Sequence, residues 1–305
     1  MSTLPDYEPV CEGHGGPVDL TIEPRTRDLG GFSVRRVLPS ASRRMVGPFI
    51  FFDEMGPAVL APGQGLDVRP HPHIGLATIT YLFEGELMHR DSLGFVQPIR
   101  PGAVNLMTAG RGIVHSERSG DDRAVEAPLH GLQLWIALPE ASEEIEPGFV
   151  HYPAGGLPEL ELGGTRIRLV MGEAFGHASP VRSYSPLVYL EARLPAGASF
   201  TLPTEQPERG VYVVSGSVDV TGDPREEHHA AGVMLIARPG ADVELTAREA
   251  SRVVVIGGEP VGPRHIWWNF VSSSKSRIEQ AKDDWRAMRF GTVPGDDEFI
   301  PLPEA

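Results

Sequence analysis

Two short stretches carry the residues best equipped for chemistry. "HPH" at His71 to His73 sets two imidazoles two residues apart at the head of the run "IGLATITYLFEGE", and "VHSER" at Val114 to Arg118 sets His115 and Glu117 at the same spacing. Residues two apart in a strand share a face, so His71 and His73 project together while Pro72 turns away, and His115 does the same with Glu117. If the two segments are neighbouring strands facing inward, three imidazoles and a carboxylate converge on one point, which is a coordination shell. Imidazole nitrogen with one carboxylate suits a first-row transition ion better than Mg or Ca, which prefer all-oxygen shells. Iron(II) is the first choice, while Mn, Ni, Cu and Zn are not separated from it by ligand identity. A six-coordinate ion would keep two positions open for substrate or dioxygen.

A plainer reading stands beside this one, because a lone HxH pair in a β protein can be a surface pair or a hydrogen-bonded core pair. The second pair, at matching spacing, favours the ion. The glycines of "GRG", Gly110 to Gly112, allow a tight or left-handed backbone just before His115. His89, Arg90 and Asp91 in "ELMHRDSLG", together with Arg111, lie near the pairs in sequence; one of them could orient a ligand imidazole or stand at a cavity mouth, with a solvated turn for the rest. Cys11 and His14 in "CEGH" lack two further ligands and are set aside. His228 and His229 are adjacent, so in a strand they would face opposite ways, and they read as exposed loop residues.

The elements that must position these groups read as strands. At 305 residues the chain exceeds the usual size of one core, which suggests two domains, with one large α/β barrel as the alternative. The 35 Gly and 29 Pro against 7% aromatic residues indicate many turns and short strands, hence an all-β class. "VDLTIEPRT", "FSVRRVLPS" and "GPFIFFDEMGP" read as strands before His71, the last bounded by Gly56-Pro57. Pro139 and the acidic "PEASEEIEPG" read as the end of a first domain and a solvated connection, and "TEQPERG" as another solvated loop. The second half repeats the first: "RGVYVVSGSVDV" parallels "ATITYLFEGELM", with Gly216 for Gly85, and the segment opening at Gly232 parallels that opening at Gly102. In the tail, Ser276 and Glu279 suggest a capping box, and Ile278, Ala281, Trp285 and Met288 fall on one face of a helix docked on a barrel.

A formal net charge of -14 argues against a sequence-independent grip on nucleic acid or anionic lipid. The single cysteine excludes an internal disulfide, the first residues lack the pattern of a secretory leader, and no apolar run approaches the roughly 18 residues of a membrane span. A cytoplasmic protein without membrane or nucleic-acid contact is expected.

"RPHPHIGLATITYLFEGE", "HRDSLG", "MTAGRGIVHSE" and "HGLQLWIALP" together resemble the successive N-terminal signatures of the pirin family of bicupins, most closely from Phe49 to Pro139. The resemblance implies two cupin barrels of the double-stranded β-helix or jelly-roll kind: a metal-binding one over residues 1–140 and a degenerate one with the C-terminal helix over 141–305. Against the general cupin motif the chain supplies Gly65, His71, His73 and Gly85, but Thr78 stands where a glutamate is usual. In the pirin pattern the acid comes from the second motif, so the implied ligands are His71, His73, His115 and Glu117. In the second barrel Leu202 and Thr204 fall opposite the histidine pair and Leu245 and Ala247 opposite His115 and Glu117, which implies one metal per chain. The activity implied is that of a quercetin 2,3-dioxygenase, opening a flavonol or similar planar hydroxylated aromatic with O2, with Glu117 as candidate general base. The alternatives are an iron-dependent redox-sensing or transcription-regulator-binding protein that recognises a protein partner without turnover, and a metal-stabilised barrel whose activity was lost.

Overall fold

The computed structural model describes residues 15–28, 32–120, 124–224 and 228–304; Cys11 and His14 lie outside them. Alternating sequence becomes two β-barrels and one C-terminal α-helix. In the first barrel a seven-stranded sheet runs in the order Gly148–Tyr152, Val104–Thr108, Leu76–Glu84, Ala127–Ala137, Phe49–Leu60, Ser33–Leu38, Arg25–Asp28. It faces a four-stranded sheet in the order Asp67–His73, Ile113–Ser119, Leu87–Asp91, Val96–Ile99. The strand expected to stop at Gly56-Pro57 continues to Leu60.

The second barrel repeats the plan, with its large sheet built on Glu208–Ser215, Ser251–Gly258 and Leu187–Leu194 and a smaller one on Ser199–Thr201, Glu244–Ala247, Ser217–Val220 and His229–Ala230. The four glycines that marked the repeat all take left-handed backbone: Gly85 at φ 88°, Gly216 at 78°, Gly102 at 77° and Gly232 at 99°.

The two large sheets pack against each other, and strand alternation explains how. On Leu76–Glu84, the side chains of Ala77, Ile79, Tyr81 and Phe83 enter the shared core, where they meet Tyr189, Tyr212, Met234 and Ile256 of the second barrel. Leu76 and Leu82 point the other way, into the first barrel. Two buried carboxylates tie the halves reciprocally. The Tyr81 hydroxyl donates to Glu191 Oε2 at 2.5 Å, and the Tyr212 hydroxyl, at the equivalent place in the repeat, donates to Glu54. Glu54 also meets Arg35 at 2.7 Å and His130 at 2.8 Å, while Glu191 meets Arg193 at 2.7 Å, so neither buried charge is left unpaired.

The division expected at residue 140 is crossed in both directions. Val18–Ile22 pairs with Met234–Ala237 in the second barrel's sheet, and Gly148–Tyr152 pairs with Val104–Thr108 in the first. The acidic connection is not wholly solvated either. Glu143 is buried, accepting from Ser272 Oγ and the Ser273 amide and meeting Arg264 at 2.8 Å.

The helix, Lys275–Arg286, packs on the first barrel, where Ile278, Ala281 and Trp285 meet Ile74, Val114 and Phe270. Ser274 is its N-cap and makes no side-chain cap, so the expected capping box is absent; Ser276 and Glu279 lie inside the helix, and Glu279 pairs with Lys282. Met288 follows the helix end and is exposed, since the chain there turns into left-handed backbone. The same C-terminal segment is stitched to the histidine strand: the Val271 amide donates to the Ile74 carbonyl at 3.2 Å and the Ile300 amide to Pro70 at 2.8 Å. Gly75 makes this approach possible, because a Cβ there would stand 2.0 Å from the Val271 carbonyl oxygen.

Candidate metal centre

Asp67–His73 and Ile113–Ser119 are adjacent antiparallel strands with His115 directly opposite His71 and Ile113 opposite His73. Each pair shares a face, and both faces point into the barrel. Ring centroids lie 4.4 Å apart for His71 and His115, 4.9 Å for His71 and His73, and 5.0 Å for His73 and His115. One ring nitrogen from each of the three lies within 4.8 Å of the others, the sole such cluster among the described residues. The turn that delivers His115 needs its glycines: Gly110 has φ 51°, and a Cβ there would meet the Ile145 carbonyl oxygen at 2.0 Å.

The imidazoles are held neutral. Burial pushes His71 down to about 4, against the opposing effect of its hydrogen bond to the Arg69 carbonyl, and burial pushes His73 and His115 well below their usual range. His71 Nδ1 donates to the Arg69 carbonyl at 2.8 Å, which fixes its tautomer and leaves Nε2 with a lone pair. His73 Nδ1 and His115 Nε2 are buried with no hydrogen-bond partner. Buried polar atoms of this kind are costly, and a cation accepting their lone pairs would remove the cost, so the donor set fits a metal ion.

Glu117 lies in the same cavity but outside the convergent set. Between His115 and Glu117 the register shifts, with Glu117 opposite Val68, and its Oε1 accepts from Thr80 Oγ1 at 2.8 Å. The Gln133 carboxamide lies 2.8 Å from the same hydroxyl. Burial raises the Glu117 carboxyl above the usual range, against the opposing effect of the Thr80 hydrogen bond. Thr78 is buried on the inner face of its strand.

A cavity of about 400 Å³ opens onto the cluster. Phe51 stacks on Trp135 at 4.0 Å, and Trp135 meets His73 edge-on at 5.0 Å, which gives an aromatic wall beside the nitrogens. Arg36 and Asp53, paired at 2.8 Å, line it, and Arg36 lies over the Phe51 ring at 4.4 Å. Ile266, Trp268, Asn269 and Ile300 supply the remaining wall from the far end of the chain. Sequence reading missed these. The aromatic run "HIWWNF" was the available signal, but nothing in local spacing connects it to His71.

The other expected candidates fall in different places. His89 and Asp91 are buried beside His115, whereas Arg111 pairs with Glu146 at 2.5 Å on another face. His228 is exposed, but His229 is buried, 3.5 Å from Asp223, and so is not the loop residue expected. The second barrel has filled the equivalent interior: Leu202, Leu245 and Ala247 belong to one continuous apolar core with Phe200 and Val218, while Thr204 is exposed. Burying each large aliphatic there stabilises by about 1.5–3 kcal/mol. The first barrel's interior is instead split into two apolar clusters, one around Ile50, Met107 and Trp135 and another around Met55, Leu82 and Leu129.

Among the described residues no helix is long and apolar enough to cross a membrane. A family model described as Pirin matches residues 31–136, and one described as Pirin C-terminal cupin domain matches residues 189–291. The chain is 53% identical to a pirin-like protein of Caulobacter vibrioides, over 94% of this chain and 100% of that one. It is 32% identical to the pirin of Homo sapiens, over 92% of this chain and 95% of that one. A crystal structure titled quercetin 2,3-dioxygenase from Acinetobacter baumannii superposes with a TM-score of 0.86 at 37% identity, covering 94% of this chain and 95% of that one. With both halves matched by family models and a relative 53% identical over nearly the whole chain, the chain belongs to the pirin family of bicupins.

Proposed function

We propose that this protein is a mononuclear metal-dependent dioxygenase of the quercetin 2,3-dioxygenase type, acting with O2 on a flavonol or similar planar hydroxylated aromatic. The observation that carries the proposal is the opening of the three-imidazole cluster into a cavity walled by Phe51, Trp135 and Trp268. Its volume of about 400 Å³ falls within the range of small-molecule sites, and the likeness to the Acinetobacter baumannii structure points the same way.

In this reading His71, His73 and His115 hold one divalent transition metal with Glu117 at the edge of the shell, iron(II) being the first choice over Mn, Ni, Cu and Zn. Bound there, such an ion would supply Lewis acidity toward a substrate hydroxyl and a redox-active centre for O2. The protein contributes the rest. Phe51 and Trp135 offer flat apolar surface that orients an aromatic ring and excludes water. Glu117 is the general base, taking the proton of the substrate hydroxyl on the carboxylate oxygen that Thr80 does not occupy. A cytoplasmic setting agrees with one cysteine in 305 residues.

The test is anaerobic reconstitution with iron(II), followed by oxygen uptake on adding quercetin, with His73→Ala as control. Uptake that depends on iron and disappears in the variant is the expected result. One bound iron per chain without uptake would instead favour a non-enzymatic protein whose metal state is read by a partner.

A further inference from the structure

We propose that Asp91 and His89 form a positioning relay that fixes the tautomer of His115 and so presents its Nε2 to the cavity; the inference rests on the metal-centre reading above. Asp91 is buried on Leu87–Asp91, the strand that pairs with Ile113–Ser119, and stands opposite His115 in the register. Its Oδ1 accepts from the Leu93 and Phe95 amides at 2.9 and 3.1 Å, which fixes the orientation of the carboxylate. Its Oδ2 is 2.9 Å from His89 Nε2. A carboxylate only accepts, so His89 Nε2 carries the proton and, in the neutral ring, Nδ1 carries the lone pair. That Nδ1 lies 3.4 Å from His115 Nδ1, so the neutral His89 ring is placed to accept the His115 proton.

His115 is left with a lone pair on Nε2, the buried nitrogen that has no partner. Phe149 stacks on the His89 ring at 4.3 Å and 16°, holding the relay's middle member in plane. The backbone carbonyl of Arg69 does the same service for His71 directly. His115 has no carbonyl in that place, and two side chains substitute for it.

The prediction that separates a relay from mere packing concerns Asp91→Asn. The substitution keeps the shape and leaves an oxygen for the two amides, but puts an NH2 donor where Oδ2 accepted. His89 must then accept at Nε2 and carry its proton on Nδ1, which opposes the His115 Nδ1 proton and drives His115 to the Nε2–H form. His89→Phe keeps the stack on Phe149 and removes the relay. Two readouts serve: cobalt(II) titration of the metal-free protein followed by its visible absorption, and the tautomer of His115 from imidazole nitrogen shifts of the metal-free, nitrogen-15-labelled protein. We expect wild type to show the His115 Nδ1–H form and both variants to bind cobalt about ten- to hundredfold more weakly. Asp91→Asn should in addition show the Nε2–H form. An unchanged tautomer together with wild-type cobalt affinity in Asp91→Asn would overturn the relay, even if His89→Phe fails to fold. A wild type that shows the expected tautomer yet binds no cobalt would instead count against the metal centre.

Discussion

Acidification should destabilise the metal-free protein through the three imidazoles it buries. Burial holds His71 at about 4 and holds His73 and His115 well below the usual imidazole range. In each case the unfolded chain takes the proton first, so the contribution to stability is full above the unfolded value of about 6.5 and is lost as pH falls below it. Between about pH 7 and about pH 5.5, a free imidazole gains most of a proton that a buried one refuses, which costs about 1.2 kcal/mol each and about 4 kcal/mol for three. Glu117 acts in the opposite sense: burial raises its carboxyl, so the folded state takes that proton more readily and acidification relieves part of the loss. Urea unfolding of chelator-treated protein at the two pH values measures the change. The control is the triple variant His71→Asn, His73→Asn, His115→Asn, in which every other titrating group is retained. Wild type should lose several kcal/mol more than the triple variant. Equal losses in the two proteins would refute the argument that these rings are buried neutral.

Tyr81→Phe should cost about 1.5–3 kcal/mol in denaturant unfolding, because Glu191 loses a charge-assisted hydrogen bond in the shared core; a cost under about 0.5 kcal/mol would show that Arg193 and Arg252 already satisfy that carboxylate. Trp268→Ala opens the wall supplied by the C-terminal segment, so KM for an aromatic substrate should rise roughly tenfold while one metal per chain is retained. Loss of metal in that variant would mean that Trp268 supports the ligands instead of the substrate.

The sequence by itself determined the local features of the centre. Alternation with period two puts His71 with His73 and His115 with Glu117, and the glycines of "GRG" give the backbone its left-handed turn at Gly110. The repeat about Gly85 and Gly216 announced two barrels, and apolar residues at the ligand places announced a filled second interior, as Leu202 and Leu245 show. What only the tertiary structure decided are contacts between residues distant in the chain. Strand pairing placed His115 against both His71 and Asp91, and so decided between the readings the sequence left open for "HRD": His89 and Asp91 are buried beside the His115 ring, not in a solvated turn. Edge strands found partners across the expected boundary at residue 140, since an unpaired edge exposes hydrogen-bonding groups wherever its sequence neighbours lie. The helix buried Ile278, Ala281 and Trp285 against the outer face of the histidine strands, bringing Trp268 and Ile300 to the cavity. Periodicity tells a segment which face to bury; the surface it is buried against is chosen by the whole chain.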